Sequence, residues 1–146
     1  ITSPNEEGKF AEKSMENAIK DSGIDKDKIV YINAHGTSTK LNDMCETKAI
    51  KNLFGEKAYE LYVSSTKSMT GHLLGASGAI EAVITVLSMK NGFIPPTINY
   101  KVKDEDCDLN IVPNVGIKHK IDYALSNSFG FGGHNGSILF RSLDTI

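Results

Sequence analysis

The strongest constraint on what this chain can fold into is an alternation of short apolar runs with helical stretches. Ile29-Val30-Tyr31-Ile32 is a short apolar run ending in a polar loop, the pattern of a buried strand, and Leu61-Tyr62-Val63 is a second. Helices surround them. Glu6 to Asp21 is amphipathic, with Phe10, Ala11, Met15, Ala18 and Ile19 at three- and four-residue spacing, and Ser22-Gly23 stops it. Asn42 or Asp43 can cap a helix that runs to about Phe54, before Gly55. His72 to about Met89 reads as one long helix closed by Asn91-Gly92, and Pro95-Pro96 forces an extended linker. Asp108 to Val112 is a candidate short strand. Ile121–Leu125 and Ser137–Phe140 form two more, joined across a Gly-rich turn from Gly130 to Gly136. The order α-β-α-β-α-(β)-β-β implies an α/β sheet covered by helices and ending in a hairpin. In such sheets ligands sit where loops leave the carboxyl ends of strands. Two polar loops do so here, 33–39 and 64–71, and each leads to a histidine.

Composition narrows the function. With 146 residues the chain is one domain or part of a larger protein. Sixteen Lys+Arg against 18 Asp+Glu leave a net charge of -2, too little positive field for a general nucleic-acid binder. No apolar run approaches the roughly 18–20 residues that span a bilayer. Nothing at the start resembles a signal peptide, and two cysteines, Cys45 and Cys107, suggest free thiols in a reducing compartment. The expected location is the cytoplasm, or an organelle interior of plastid type.

Three segments carry chemistry. The first is Asn33-Ala34-His35-Gly36-Thr37-Ser38-Thr39: one histidine among small and hydroxylated residues, with Thr37 and Thr39 on one side of an extended stretch. Taken alone, His35 is equally a loop histidine with capping hydroxyls. The second is Ser64-Ser65-Thr66-Lys67-Ser68-Met69-Thr70-Gly71-His72. In the first turn of a helix, His72 meets the positive dipole end, which favours the neutral imidazole. A neutral imidazole can donate an N–H to an oxygen that is becoming negative. Lys67 by itself reads more simply as a solvated loop cation. Glu81, Thr85 and Ser88 share one helix face, as a narrow solvent stripe or as a partly buried carboxylate facing Lys67, His72 or a cation. The third segment is Ser126-Asn127-Ser128-Phe129-Gly130-Phe131-Gly132-Gly133-His134-Asn135-Gly136. A dinucleotide loop needs a helix after it and a strand follows here, which argues against nucleotide binding, and its exposed backbone N–H groups suit an oxyanion. The four histidines show no metal-ligand spacing, and His119, among lysines, reads as a surface residue.

In this order and spacing the three segments resemble the C-terminal motifs of β-ketoacyl-acyl-carrier-protein synthases, close to the synthase II type. The resemblance covers essentially the whole chain. It implies the C-terminal half of a thiolase-like fold, a five-stranded mixed sheet covered by helices, in an enzyme that works as a homodimer. It implies decarboxylative Claisen condensation of malonyl-carrier protein with an enzyme-bound acyl thioester. No resident cofactor is required, because the phosphopantetheine arm arrives on acyl-carrier protein. By the resemblance, His35 and His72 stabilise the enolate and Lys67 supports His72. Phe129 helps form the acyl oxyanion hole, next to Gly130, and gates the acyl pocket, while Thr37 and Thr39 hold the pantetheine arm. Asn33, Glu81, Ser126 and Asn127 match groups near a structural monovalent-cation site of some members.

Two histidines mark the elongating enzymes of this family; initiating synthases carry Asn in place of His72. Two positions depart from the pattern: Lys40, where proline often stands, and His134, where threonine is also common. The family nucleophile is a cysteine in a strand-to-helix turn of the N-terminal half. Cys45 lies on a helix and Cys107 in an acidic loop, where carboxylates raise a thiol pKa, so neither replaces it. The expectation is therefore that the N-terminal half is absent from residues 1–146, that the non-Met start marks a truncation, and that the chain alone is inactive. Two alternatives share the motifs: the ketosynthase domain of a polyketide synthase, and a non-catalytic subunit like a chain-length factor.

Overall fold

The computed structural model describes residues 3–145. A mixed sheet in the order β2-β1-β5-β6 organises the chain. β1 (Tyr31–Asn33) lies between β2 (Tyr62–Ser64) and β5 (Tyr123–Gly130), parallel to both. β6 (His134–Arg141) returns antiparallel to β5 through a tight 131–133 turn. A small antiparallel pair, β3 (Phe93–Ile94) with β4 (Ile117–Lys118), lies apart. The expected fifth position of the main sheet shrinks to one parallel bridge between Asn110 and Tyr62, with the Val63 N–H donating to the Asn110 carbonyl at 2.8 Å. Leu109 before it is buried in the core, but the acidic residues 104–108 are not drawn into the sheet.

α1 (Lys9–Ser22) and α2 (Lys40–Phe54) cover one face. There Met15, Ile19, Ile32, Ala49, Ile50, Phe54, Leu61 and Leu125 form the main core. α1 begins three residues later than its periodicity predicts, because Gly8 adopts φ 70° and lies so close to α2 that a Cβ would fall 2.5 Å from the Cys45 carbonyl. α2 begins at Lys40 behind Thr39, so Asn42 and Asp43 belong to its first turn instead of capping it.

The other face carries a smaller core of Tyr31, Ile94, Val112, Ile121 and Ala124, and α4 (Ser77–Asn91) packs on β5 there. The expected helix from His72 is broken: α3 spans only Lys67–Thr70, Gly71 turns the chain at φ 72°, and α4 begins at Ser77. α4 is inverted relative to an ordinary surface helix. Its polar stripe, Ser77, Glu81, Thr85 and Ser88, is buried against the sheet, while Ile80, Val83, Val86 and Leu87 face outward. Among the described residues no helix is long and apolar enough to cross a membrane.

Candidate active site

The loop after β1 is held by a carboxylate. The backbone N–H groups of His35 and Gly36 each donate to Glu46 of α2 at 2.9 Å, and the Asn127 amide donates to the same carboxylate at 3.1 Å. Ser137 completes the chain by donating to Asn127 Oδ1 at 2.8 Å. Burial pushes the Glu46 carboxyl above its ordinary range, and the three N–H donors oppose that shift. Gly36 packs against the second loop: a Cβ would fall 2.5 Å from the Ser65 Cβ, and the Ser65 hydroxyl donates to the Gly36 carbonyl at 2.6 Å. Sequence reasoning missed Glu46. The available signal was a charge sharing a helix face with Ala49, Ile50 and Phe54.

The second loop is held from the other face. Lys67 is buried and pairs with Glu81 of α4. The Glu81 carboxyl lies above its ordinary range because burial outweighs the pull of the Lys67 ammonium. Asn33, fully buried, donates to the Glu81 carbonyl and to Thr85 Oγ1, both at 3.3 Å, and accepts from Thr66. The stripe on α4 is thus the buried carboxylate of the two readings the sequence left open. His72 sits in the irregular turn before α4, not in its first turn, with Nδ1 3.0 Å from the Ser77 hydroxyl.

The two loops bring His35 and His72 together, ring centroids 5.6 Å apart and nearly perpendicular, and Phe129 lies 5.6 Å from His35 on the other side. They line an open cavity of about 1260 Å³ with Thr37, Thr39 and Gly130. The two threonine hydroxyls are 3.0 Å apart. Phe129 and the polar residues before it extend β5 beyond the expected Ile121–Leu125, with Ser126 and Asn127 buried and Asn127 satisfied internally. His35 is only 5% exposed. Burial first, then the Lys67 ammonium and His72, lower its pKa from 6.5 to about 4, so it is neutral at neutral pH. Its Nδ1 is enclosed without a partner, leaving Nε2 to address the cavity. Lys67 acts on this site from behind the wall.

The four candidate cation ligands do not form one side-chain set. Asn33 and Glu81 lie on the α4 side with Ser126, the β5 partner of Asn33, whereas Asn127, the next residue along the strand, points to α1 and α2. Both amide oxygens are already accepting hydrogen bonds. Glu81 Oε2 is the one buried carboxylate oxygen of the four without a partner. Among the described residues no cluster of three or more His, Cys, Asp or Glu could hold a metal ion. His119 meets the Tyr62 ring edge-on, centroids 5.0 Å apart, and both His119 and His134 are exposed. Cys45 reaches the cavity wall from α2, but burial raises its thiol pKa. Burial and neighbouring Asp104, Asp43 and Asp106 raise that of Cys107. Neither is an activated nucleophile.

A neutral His35 and the His72 ring facing one cavity make a site for hydrogen-bonding a developing oxyanion. Comparison with known proteins agrees. Residues 1–101 match the model of the beta-ketoacyl synthase C-terminal domain. The chain is 52% identical over 144 residues to 3-oxoacyl-[acyl-carrier-protein] synthase 2 of Staphylococcus aureus strain COL, covering 99% of this chain and 35% of that protein. It is 53% identical over 141 residues to the synthase 2 of a Synechocystis species, covering 97% of this chain and 34% of that one. The chain thus spans about a third of the length of these curated relatives. Among solved structures, a type II polyketide ketosynthase in complex with its acyl-carrier protein superposes with a TM-score of 0.96 at 40% identity, over 98% of this chain and 35% of that one. A beta-ketoacyl synthase from Burkholderia phymatum superposes at 0.91 and 37% identity, over 98% and 34%. With the thiolase-like α/β architecture and the paired histidines, these matches establish that the chain belongs to the beta-ketoacyl synthase family, as its C-terminal domain.

Proposed function

We propose that these residues form the enolate-stabilising part of the active site of a chain-elongating 3-oxoacyl-acyl-carrier-protein synthase. The observation that carries the reading is the edge-on His35–His72 pair in a single cavity beside Phe129. Malonyl-carrier protein places its thioester carbonyl between the two imidazoles, with the phosphopantetheine arm along Thr37 and Thr39. The bond to the carboxylate breaks, carbon dioxide leaves, and its electron pair becomes an enolate whose oxygen accepts N–H from both rings. The enolate carbon then attacks the acyl thioester on a cysteine outside these residues. The new carbon–carbon bond forms as the cysteine thiolate departs, with the carbonyl oxygen held at the Phe129–Gly130 backbone. No redox or metal cofactor enters. A monovalent cation near Glu81 has a structural role only.

The outward apolar face of α4 supports burial against further protein. Val83 and Leu87 are 55% and 49% exposed on a helix whose polar side faces the sheet. We assign that face to the N-terminal half of the complete synthase, which acts as a homodimer with acyl-carrier protein as its partner, in the cytoplasm or a plastid-like organelle interior. Identities of 52–53% to fatty-acid type synthases against 40% to the polyketide enzyme favour the former pathway. A chain-length-factor-like subunit has no use for two positioned histidines and Lys67. In the full-length gene product, His35→Ala and His72→Ala each abolish carbon dioxide release from malonyl-carrier protein, and near-normal release from either refutes the reading. The 146-residue chain by itself does not condense acyl and malonyl groups.

A further inference from the structure

Ser77, one more small residue in a small-residue stretch of the sequence, occupies a specific place behind His72. It is the first residue of α4 and 2% exposed, so water does not compete for its hydroxyl. Its Oγ accepts the Leu73 N–H at 2.8 Å and lies 3.0 Å from His72 Nδ1. The Leu74 N–H is 3.1 Å from the same Nδ1. A backbone N–H can only donate, so Nδ1 carries the lone pair and the neutral ring carries its proton on Nε2. With its oxygen already accepting from Leu73, the Ser77 hydroxyl directs its own proton to Nδ1.

We propose that Ser77 is a positioning residue for His72, which with the Leu74 N–H fixes the proton on Nε2 and presents the cavity with a donor instead of a base. The inference rests on the reading of His72 as an enolate donor. The polarity is opposite to that of a histidine whose Nδ1–H is accepted by a carboxylate, an arrangement that makes Nε2 basic. Here both partners of Nδ1 donate to it, and polarisation along the chain strengthens Nε2–H as a donor to a developing negative oxygen. The buried carboxylate of Glu81 is committed to Lys67 and does not reverse this wiring.

The test compares wild type with Ser77→Ala in the full-length gene product, by ¹⁵N NMR of labelled histidine and by decarboxylation kinetics with malonyl-carrier protein. In wild type, the His72 spectrum shows a protonated Nε2 and a bare, hydrogen-bonded Nδ1. In the variant the Nδ1 resonance moves toward that of a less hydrogen-bonded nitrogen. There kcat falls roughly 2- to 12-fold, the worth of one neutral hydrogen bond, while KM changes by less than about twofold because the donor acts on the developing charge. A protonated Nδ1 in wild type, an unmoved resonance in the variant, or an unchanged kcat overturns the proposal. A moved resonance with no carbon dioxide release from either protein upholds the hydrogen bond and overturns the role of His72 in decarboxylation.

Discussion

Acidification should destabilise the fold through His35 in a defined window. Folded His35 resists protonation because it is buried and faces the Lys67 ammonium and His72, so its pKa falls from 6.5 to about 4. The unfolded chain takes up this proton near 6.5, whereas the folded chain does not until about 4. Between those values the unfolded state binds more protons, so stability falls as pH falls; it is constant above the window and level again below it. At about 1.4 kcal/mol per unit, the loss over the window is about 3 kcal/mol. Urea unfolding of wild type and His35→Gln across pH 4–7 isolates the effect, because every other titrating group is common to both. The difference between the two stabilities should shrink or reverse in favour of Gln by about 3 kcal/mol on going from pH 7 to 4. Parallel stability curves, or an NMR titration placing folded His35 near 6.5, would refute the argument that burial and Lys67 hold this imidazole neutral.

Glu46→Ala strips the His35 and Gly36 N–H groups and the Asn127 amide of their acceptor, and the two fully buried donors among them, on His35 and Asn127, cost about 2–6 kcal/mol. Glu46→Gln retains one acceptor and loses less. Hydrogen exchange reads this directly, and unchanged protection of the His35 and Gly36 amides in the Ala variant would count against the carboxylate's role. Lys67→Ala leaves the Glu81 charge buried without its partner and should cost about 3–5 kcal/mol in urea unfolding. Pairing Lys67→Met with Glu81→Leu should recover most of that, and equal losses in the single and double variants would show that the pair is not the cause.

The alternating architecture was legible because period and punctuation agree locally: Gly23, Gly55 and Gly92 end their helices as read, and the parallel strands β1 and β2 overlap the two short apolar runs, each reaching one residue further into its polar loop. What failed to show were features decided by distant partners. The expected strand Ile121–Leu125 ends before the polar run 126–128, yet β5 continues through it, since Glu46 and Ser137, 81 and 10 residues away, satisfy Asn127. The stretch from His72 to Met89 reads as continuous helix because no proline or charge run interrupts it, but Gly71 and the hydrogen bonds of Ser77 hold an irregular turn at its start. The histidines themselves were visible as residues out of place among small hydroxylated neighbours. Glu46 and Ser77, which hold those histidines, look ordinary along the chain, whereas the facing of Glu81 toward Lys67 was one of two readings its helix face allowed. Motif spacing therefore points to the groups that line the cavity, while Glu46 and Ser77, which hold the backbone and ring of the two histidines, become visible only when the sheet brings α2 and α4 to its two faces.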